Sequence, residues 1–445
     1  AKGDLEFTVA ATDPASGIAK KELIKDGKVV SEINGDTVRL SESGEYLVRV
    51  TDKVGHVTEM NVFETFNLPS KMIRDSSAPT VTFNLPKADL EKNGKTWYKS
   101  EPSFSIPVAD ENLATSKVLV NGKEVSSLSG QGTHSFSLKG IEPGEDMSYH
   151  IEVISVDKAC NESRASKKLY VDNKKPQITD IRFSLAGRES GSAEGGGDGY
   201  RHFFQSGVDV IVTATDPGAS AGLGKLVYKY NTDKGEVTKE EDISSGTATI
   251  KLGDDFKGFV SMHVTDVIGH VSDPQATGGI ITESASVHVN NSDVGFRLPE
   301  TNRKDINGLP LYSEPITVGV YARDSRNGIG SLKWSLGSNA GEQSVNADGS
   351  TSGPFSVKSK DKNLVSSVES SFQVTDNANG IGLSFLMSDR AGWESSAKDT
   401  FSIDTDAPVV SVSYNNTIES GFYNAPRTAE IRVTERNFTP DGVKL

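Results

Sequence analysis

The residues best placed to do chemistry are aspartates that return at two fixed points of a repeating pattern. Asp13, Asp110, Asp216 and Asp324 end the apolar-alternating segments FTVAATD, FSIPVAD, VIVTATD and ITVGVYARD, and Glu435 ends a fifth, AEIRVTE. Asp52, Asp266 and Asp389 open tight Asp-x-x-Gly turns, and Asp157 opens the matching DKAC, where Cys160 holds the glycine place. Carboxylates so placed have two uses. One is local: the side chain accepts backbone N–H groups and the glycine supplies a positive φ. The other is calcium, which takes roughly six to eight oxygens. The two loop types can meet at one end of a domain, beside the junction acids Asp75, Asp172, Asp404 and Asp406. No D-x-D-x-D-G loop occurs, so local capping is the preferred reading for all eight aspartates. Calcium is the one cofactor kept as an alternative.

Nothing else in the chain assembles into a catalytic set. A hydrolase needs a nucleophile, base and orienter together, or two carboxylates flanking a cleft. The chain has no G-x-S-x-G elbow and no H-E-x-x-H, and GLGKL (222–226) has Leu226 where a phosphate loop requires Ser or Thr. Among the histidines, His56 and His270 follow the turn glycine of two different repeats and read as turn residues. No catalytic residue is assigned, and the chain is read as no enzyme.

The elements that must carry these residues are short strands. Tyr46, Val48 and Val50 alternate, as do Val260, Met262 and Val264, and Leu383, Phe385 and Met387, so one face of each strand is buried. KLVYKYN (225–231) and SLKWSLG (331–337) do the same, and no sustained helical period with caps is found. The Asp-ended strand recurs about every hundred residues, the size of an immunoglobulin-like sandwich and too long for solenoid or propeller repeats. Pro79, Pro176 and Pro408 stand ahead of alternating strands at three junctions, where a missing N–H does no harm, whereas HVNNSDVGFRLP (288–299) lacks the proline. The fold class is therefore all-β, a tandem array of immunoglobulin-like β-sandwich domains in an extended rod. Its domains are expected at 1–74 (N-terminally incomplete), 75–171, 172–290 with a Gly-rich insertion, 291–403, and 404–445 as the start of a further one. No signal peptide stands at Ala1 and no anchor at Leu445, so the segment reads as a piece of something longer.

Composition narrows the class. Over 445 residues the acids exceed the bases to give a net charge of −14, and no basic stripe stands out, which disfavours nucleic acid. No apolar run approaches the ~20 residues that cross a bilayer as a helix, so no membrane insertion is expected. The single cysteine, Cys160, cannot form an internal disulfide, and such cysteine poverty in a β-rich chain suits export from a Gram-positive-like cell. Specificity on a repeat scaffold is added in loops that break the repeat. Two do so here: 187–204, with Tyr200, Arg201, His202, Phe203 and Phe204, and 346–367, with Phe355, Lys358 and Lys360.

The ATDxxSGI strands, VTDKxGN-like turns and D-x-x-x-P junctions resemble the bacterial Ig-like repeats of large Gram-positive cell-surface proteins. SGFYNAPRTAEIRVTERNFTPDGVKL (420–445) is similar to repeats of giant surface proteins of gut Firmicutes. The resemblance covers nearly the whole chain. It implies a non-catalytic stalk or adhesion segment, extracellular and either attached to the cell wall or secreted. It also implies a host partner such as immunoglobulin or another glycoprotein or mucin, bound through loops or strand edges. A monomer is expected. The alternatives are accessory modules of a large secreted enzyme and a pure structural spacer.

Overall fold

A computed structural model describes residues 3–64, 70–185, 188–192 (backbone only), 198–232, 235–416 and 426–438. The chain is all-β, built of tandem immunoglobulin-like sandwiches, and among the described residues no helix is long and apolar enough to cross a membrane. It forms two compact units. The first comprises 1–175 with the loops 216–222 and 267–270; the second comprises the remainder.

The first unit holds two sandwiches. In one, the pair Leu5–Thr8 and Thr37–Leu40 faces a four-stranded sheet ordered Lys28–Glu32, Ile18–Lys25, Tyr46–Asp52, Val57–Asn61. In the other, Thr80–Val81, Ser103–Ala109 and Gly132–Ser137 face a six-stranded sheet centred on Leu113–Val120, Ser148–Asp157 and Glu162–Val171. Phe104, Ile106 and Val108 point inward from one strand and Ile151 and Val153 from the opposite sheet, the alternation that a half-buried strand requires.

The second unit repeats the plan twice. Gln177–Leu185, Val208–Thr215 and Thr247–Leu252 face Gly235–Asp242, Leu223–Thr232 and Val260–Asp266, closing over Leu226, Tyr228, Val210 and Val212. Then Ser292–Arg297, Ile316–Asp324, Leu364–Val374 and Ser356–Asp361 face a five-stranded sheet that includes Ile329–Leu336, Ile381–Asp389 and Glu394–Ile403. Trp334, Phe355, Phe385 and Met387 fill that core. A two-stranded pair, Val409–Tyr414 with Ala429–Thr434, follows.

Two devices recur and position the acids. A short aromatic segment runs parallel to the last strand of a sandwich: Trp97 and Tyr98 beside Tyr170 and Val171, Phe203 and Phe204 beside Ile281 and Thr282, Leu311 and Tyr312 beside Ser402 and Ile403. Opposite each hairpin aspartate the register slips by one residue, at Ala19, Ala114, Gly224 and Gly330. This β-bulge bends the strand as it leaves the Asp-ended loop. At Gly330 a Cβ would stand 2.7 Å from the Asp389 carbonyl, so the close approach excludes any side chain there.

The junction without proline departs from the expected strand-to-strand link. Ala285–Asn291 is a seven-residue helix. A proline after Asp75, Asp172 or Asp404 pushes its predecessor out of the helical region, and here Val287 stands at that place, so a helical turn is allowed.

Cys160 sits at φ 66°, where the equivalent Gly55, Gly269 and Gly392 have φ 98°, 96° and 87°. A side chain in this region costs about 1–2 kcal/mol. Nothing lies within 4 Å of a Cβ built at Gly55, so conformation and not space is the penalty at this turn. Cys160→Gly is expected to raise the unfolding free energy of the second sandwich by about 1 kcal/mol, read from urea denaturation midpoints.

Candidate functional site

The sandwich junctions gather the acids. The residue after a sandwich's last strand is acidic, and its N–H donates to the carbonyl of the parallel aromatic segment: Asp172 to Tyr98, Glu283 to Phe204 and Asp404 to Tyr312, each at 2.9 Å. The backbone thus delivers a carboxylate to the same place each time.

The strand-end and hairpin aspartates meet in the first, second and fourth sandwiches. Ser16 donates its hydroxyl to Asp13 and sits 3.1 Å from Asp52, which also accepts the N–H groups of Val54 and His56. Asp110 and Asp157 meet Asp75. There Asn112 donates to Asp75 at 2.8 Å, and Asn161 donates to Asp157 at 2.7 Å and to the Asp75 carbonyl at 2.9 Å. These carboxylates are answered by hydroxyls, amides and backbone N–H groups, which is the capping reading. Asp216 accepts the Ser220 hydroxyl within the first unit, and Asp266 closes its strand, buried, in the second.

At the last junction, Asp404 accepts Arg436 at 2.8 Å and Asn437 at 2.6 Å. The Arg436 guanidinium holds the Asp404 carboxyl down at about 2.

Asp324 and Asp389 have a different setting. They converge with Glu283, His288 and Asn327, and all five residues are buried. The His288 Nδ1 lies 3.5 Å from Asp389, 3.7 Å from Glu283 and 3.9 Å from Asp324. Its Nε2 meets the Ser395 hydroxyl at 3.1 Å, and its ring stacks on Trp393. The Asn327 amide nitrogen donates to both Glu283 and Asp389. Asp324 caps Arg326 and Gly328, and Asp389 caps Trp393. Burial, reinforced by the charges of Asp324 and Asp389, pushes the Glu283 carboxyl up to about 8, and burial also raises that of Asp324. Glu283, His288 and Asn327 were not among the residues expected from sequence. Glu283 follows its strand exactly as the other junction acids do, but without the proline four residues on that marked them.

Ser395, His288 and Asp389 follow the order of a hydrolytic triad without its geometry. Nδ1 stands outside hydrogen-bond reach of Asp389, and Ser395 lies in a sheet ladder opposite Met387.

The expected binding loops are largely structural. Of 187–204, residues 187 and 193–197 lie outside the described residues, and Tyr200–Phe204 is a strand. Tyr200, Arg201 and Phe203 line a cleft of about 760 Å³ with Asp348, Asn363 and Arg390. Asn363 grips the Tyr200 backbone from both sides, accepting its N–H at 2.9 Å and donating to its carbonyl at 2.7 Å. Arg390 lies over the Phe203 ring and Lys257 over that of Tyr200. His202 and Phe204 instead pack on Phe183. Burial lowers the His202 pKa. The assignment of Phe355 to a binding loop is corrected: it is 2% exposed and packs on Trp334, Phe372 and Phe385, because the segment 346–367 folds into paired strands whose apolar residues close the core. Lys358 and Lys360 are exposed, but on the strand Ser356–Asp361 and not on a loop.

No family model matches the sequence, and no curated protein matches it. Solved structures similar to the chain include a crystal structure of titin domains, 14% identical with a TM-score of 0.31 over 64% of this chain and 94% of that one. Extracellular cadherin domains 3–6 of protocadherin gamma B2 are 13% identical with a TM-score of 0.29, covering 87% of this chain and 92% of that one. The human desmocollin-1 ectodomain is 13% identical with a TM-score of 0.22, covering 92% and 77%.

Two outcomes are expected. Phe355→Ala should destabilise the fourth sandwich by about 3–5 kcal/mol, the cost of emptying an aromatic core site, with the loss seen in Trp334 fluorescence on denaturation. Asp404 has a depressed pKa, so its contribution is complete above the ordinary 3.8 and is lost as pH falls toward about 2. Arg436→Gln should therefore lower stability by a constant amount above about pH 4 and flatten the fall between about pH 4 and 2, read from urea midpoints across pH.

Proposed function

We propose that the chain is a non-catalytic segment of a bacterial cell-surface protein, extracellular and either wall-attached or secreted, that spaces and presents a surface contacting a host glycoprotein, mucin or immunoglobulin. The observation that carries this reading is the cleft beside Tyr200, Arg201 and Phe203, with Asp348, Asn363 and Arg390 opposite. Aromatic faces next to fixed amide, carboxylate and guanidinium groups are the chemistry that holds a sugar ring: apolar C–H surface on the ring, paired hydroxyls at the edge. The acidic net charge of −14 agrees with a carbohydrate or protein ligand and against a polyanion. Junctions whose acids, Asp172, Glu283 and Asp404, bond back to the preceding sandwich's aromatic segment fit a chain whose work is to present such a surface.

The test is capture of human serum, mucin and matrix proteins by the immobilised chain, repeated with Arg201→Glu and with Lys358→Glu/Lys360→Glu. Deleting either insertion is uninformative, because His202, Phe204 and Phe355 belong to the packing. A saturable partner weakened tenfold or more by Arg201→Glu and unaffected by the strand lysine pair is the expected result. No capture from any source would leave a structural spacer.

A further inference from the structure

The buried cluster of the second unit is built like a metal centre. Glu283, Asp324 and Asp389 bring three carboxylates, and the Arg326 guanidinium, 4.0 Å from Glu283, answers one of them. Were all three ionised, two negative charges would exceed the one ion-paired cation, Arg326, among residues that are almost wholly buried. Unpaired buried charge of this size is too costly to be left alone. The charge deficit is that of one divalent cation.

The unused atoms agree. Glu283 Oε1, His288 Nδ1, Asp324 Oδ2 and Asn327 Oδ1 are buried and have no hydrogen-bond partner, while the other polar atoms of these side chains are engaged by turns, by the Asn327 amide and by Ser395. Four orphaned lone-pair atoms on four neighbouring side chains would be a severe defect in a packed protein unless they share something. We infer that Glu283, His288, Asp324, Asn327 and Asp389 form a binding site for a divalent transition-metal ion of the zinc class, which ties the third sandwich to the fourth.

Geometry and donor type choose the ion. A protonated Nδ1 would close on one carboxylate at about 2.8 Å. It stands off three of them instead, at 3.5, 3.7 and 3.9 Å, as ligands do around a common centre. A tetrahedral ion with bonds of about 2.0–2.2 Å has ligand edges of about 3.3–3.6 Å, so binding needs a contraction of only a few tenths of an ångström. Those separations also suit calcium. The imidazole does not, since calcium takes oxygen and zinc-class ions take nitrogen. With Nε2–H directed at Ser395, Nδ1 is the free lone pair, the arrangement in which an outer hydrogen bond orients a metal-binding histidine. Glu283 and His288 come from the segment that links the two sandwiches, Asp324, Asn327 and Asp389 from the fourth, so the ion closes the joint.

The experiment uses the full chain stripped with EDTA. Zn²⁺ or Co²⁺ is titrated by calorimetry, with the visible spectrum of bound Co²⁺ and a thermal melt as further readouts; Mn²⁺ and Ca²⁺ are run in parallel. One saturable ion per chain, a raised melting temperature and a tetrahedral Co²⁺ spectrum are expected. Glu283→Gln and His288→Gln should each weaken uptake tenfold or more. Glu283→Gln, which keeps the shape and fixes a neutral side chain there, should melt no lower than the metal-free parent, so loss of uptake in it is not loss of fold. Absence of saturable uptake by the parent, or uptake unchanged in both variants, overturns the site. Uptake of Ca²⁺ in preference to Zn²⁺ and Co²⁺ overturns the class of ion. Neither result bears on the proposed ligand cleft.

Discussion

The structure turns on a carboxylate accepting backbone N–H groups across a four-residue turn. Asp52 does this for Val54 and His56, Asp157 for Asn161, and Asp389 for Trp393. The bond closes the hairpin that ends a sandwich, and the bulge opposite it bends the neighbouring strand toward the same end. A neutral acceptor, as Asn61 is for Phe63, would hold the turn amides less strongly, since an ionised acceptor makes the strongest bond available to them. The cost is charge. Every sandwich built this way carries an anionic end, and the next chain segment must cross it.

The junctions differ in how they meet that cost. Asp13 and Asp52 share a serine hydroxyl and face water in part. Asp75, Asp110 and Asp157 are stitched by Asn112 and Asn161. Asp404 has Arg436, a full counter-charge in the turn that follows the last strand pair. Among the described residues, the Glu283 junction combines the full burial of three carboxylates with an imidazole supplied by the linking segment itself. The two departures occur together because a helix replaces the proline link: its residues carry His288 inward, where the other junctions run extended and carry none.

Strand positions and the repeat were legible because burial on a pleated face imposes a period of two. Leu332, Trp334 and Leu336, or Leu383, Phe385 and Met387, announce their inner face by spacing alone. The pairing of strand-end with hairpin aspartates was legible for the same reason, since both loops must lie at one end of a sandwich. Glu283, His288 and Asn327 were not. Glu283 differs from its counterparts by one methylene and lacks the proline that flagged them. His288 reaches the cluster only because the chain coils for seven residues, a choice that depends on the absence of proline and not on any helical period. Asn327 is one polar residue in a loop of polar residues until its amide is seen between two carboxylates.

The insertions mislead for a physical reason. Glycine and charge mark a segment as a loop, but a loop long enough to fold back makes strands of its own, and its apolar residues then have a core within reach. Phe355 takes that course, stacked on Phe385 at 5.4 Å, and so does Phe204 on Phe183. What such a segment leaves for recognition is its outward set, every second residue of the strand it has become. Along Tyr200–Phe204 the alternation places Tyr200 and Phe203 under cations at the cleft and Phe204 against the core, with a register slip between Tyr200 and His202 that breaks strict alternation. A lone aromatic on this edge would be ordinary surface. Two, held by Asn363 on the backbone and by Lys257 and Arg390 on the rings, are oriented before any ligand arrives, and preorganisation of that kind is what lowers the entropic cost of binding.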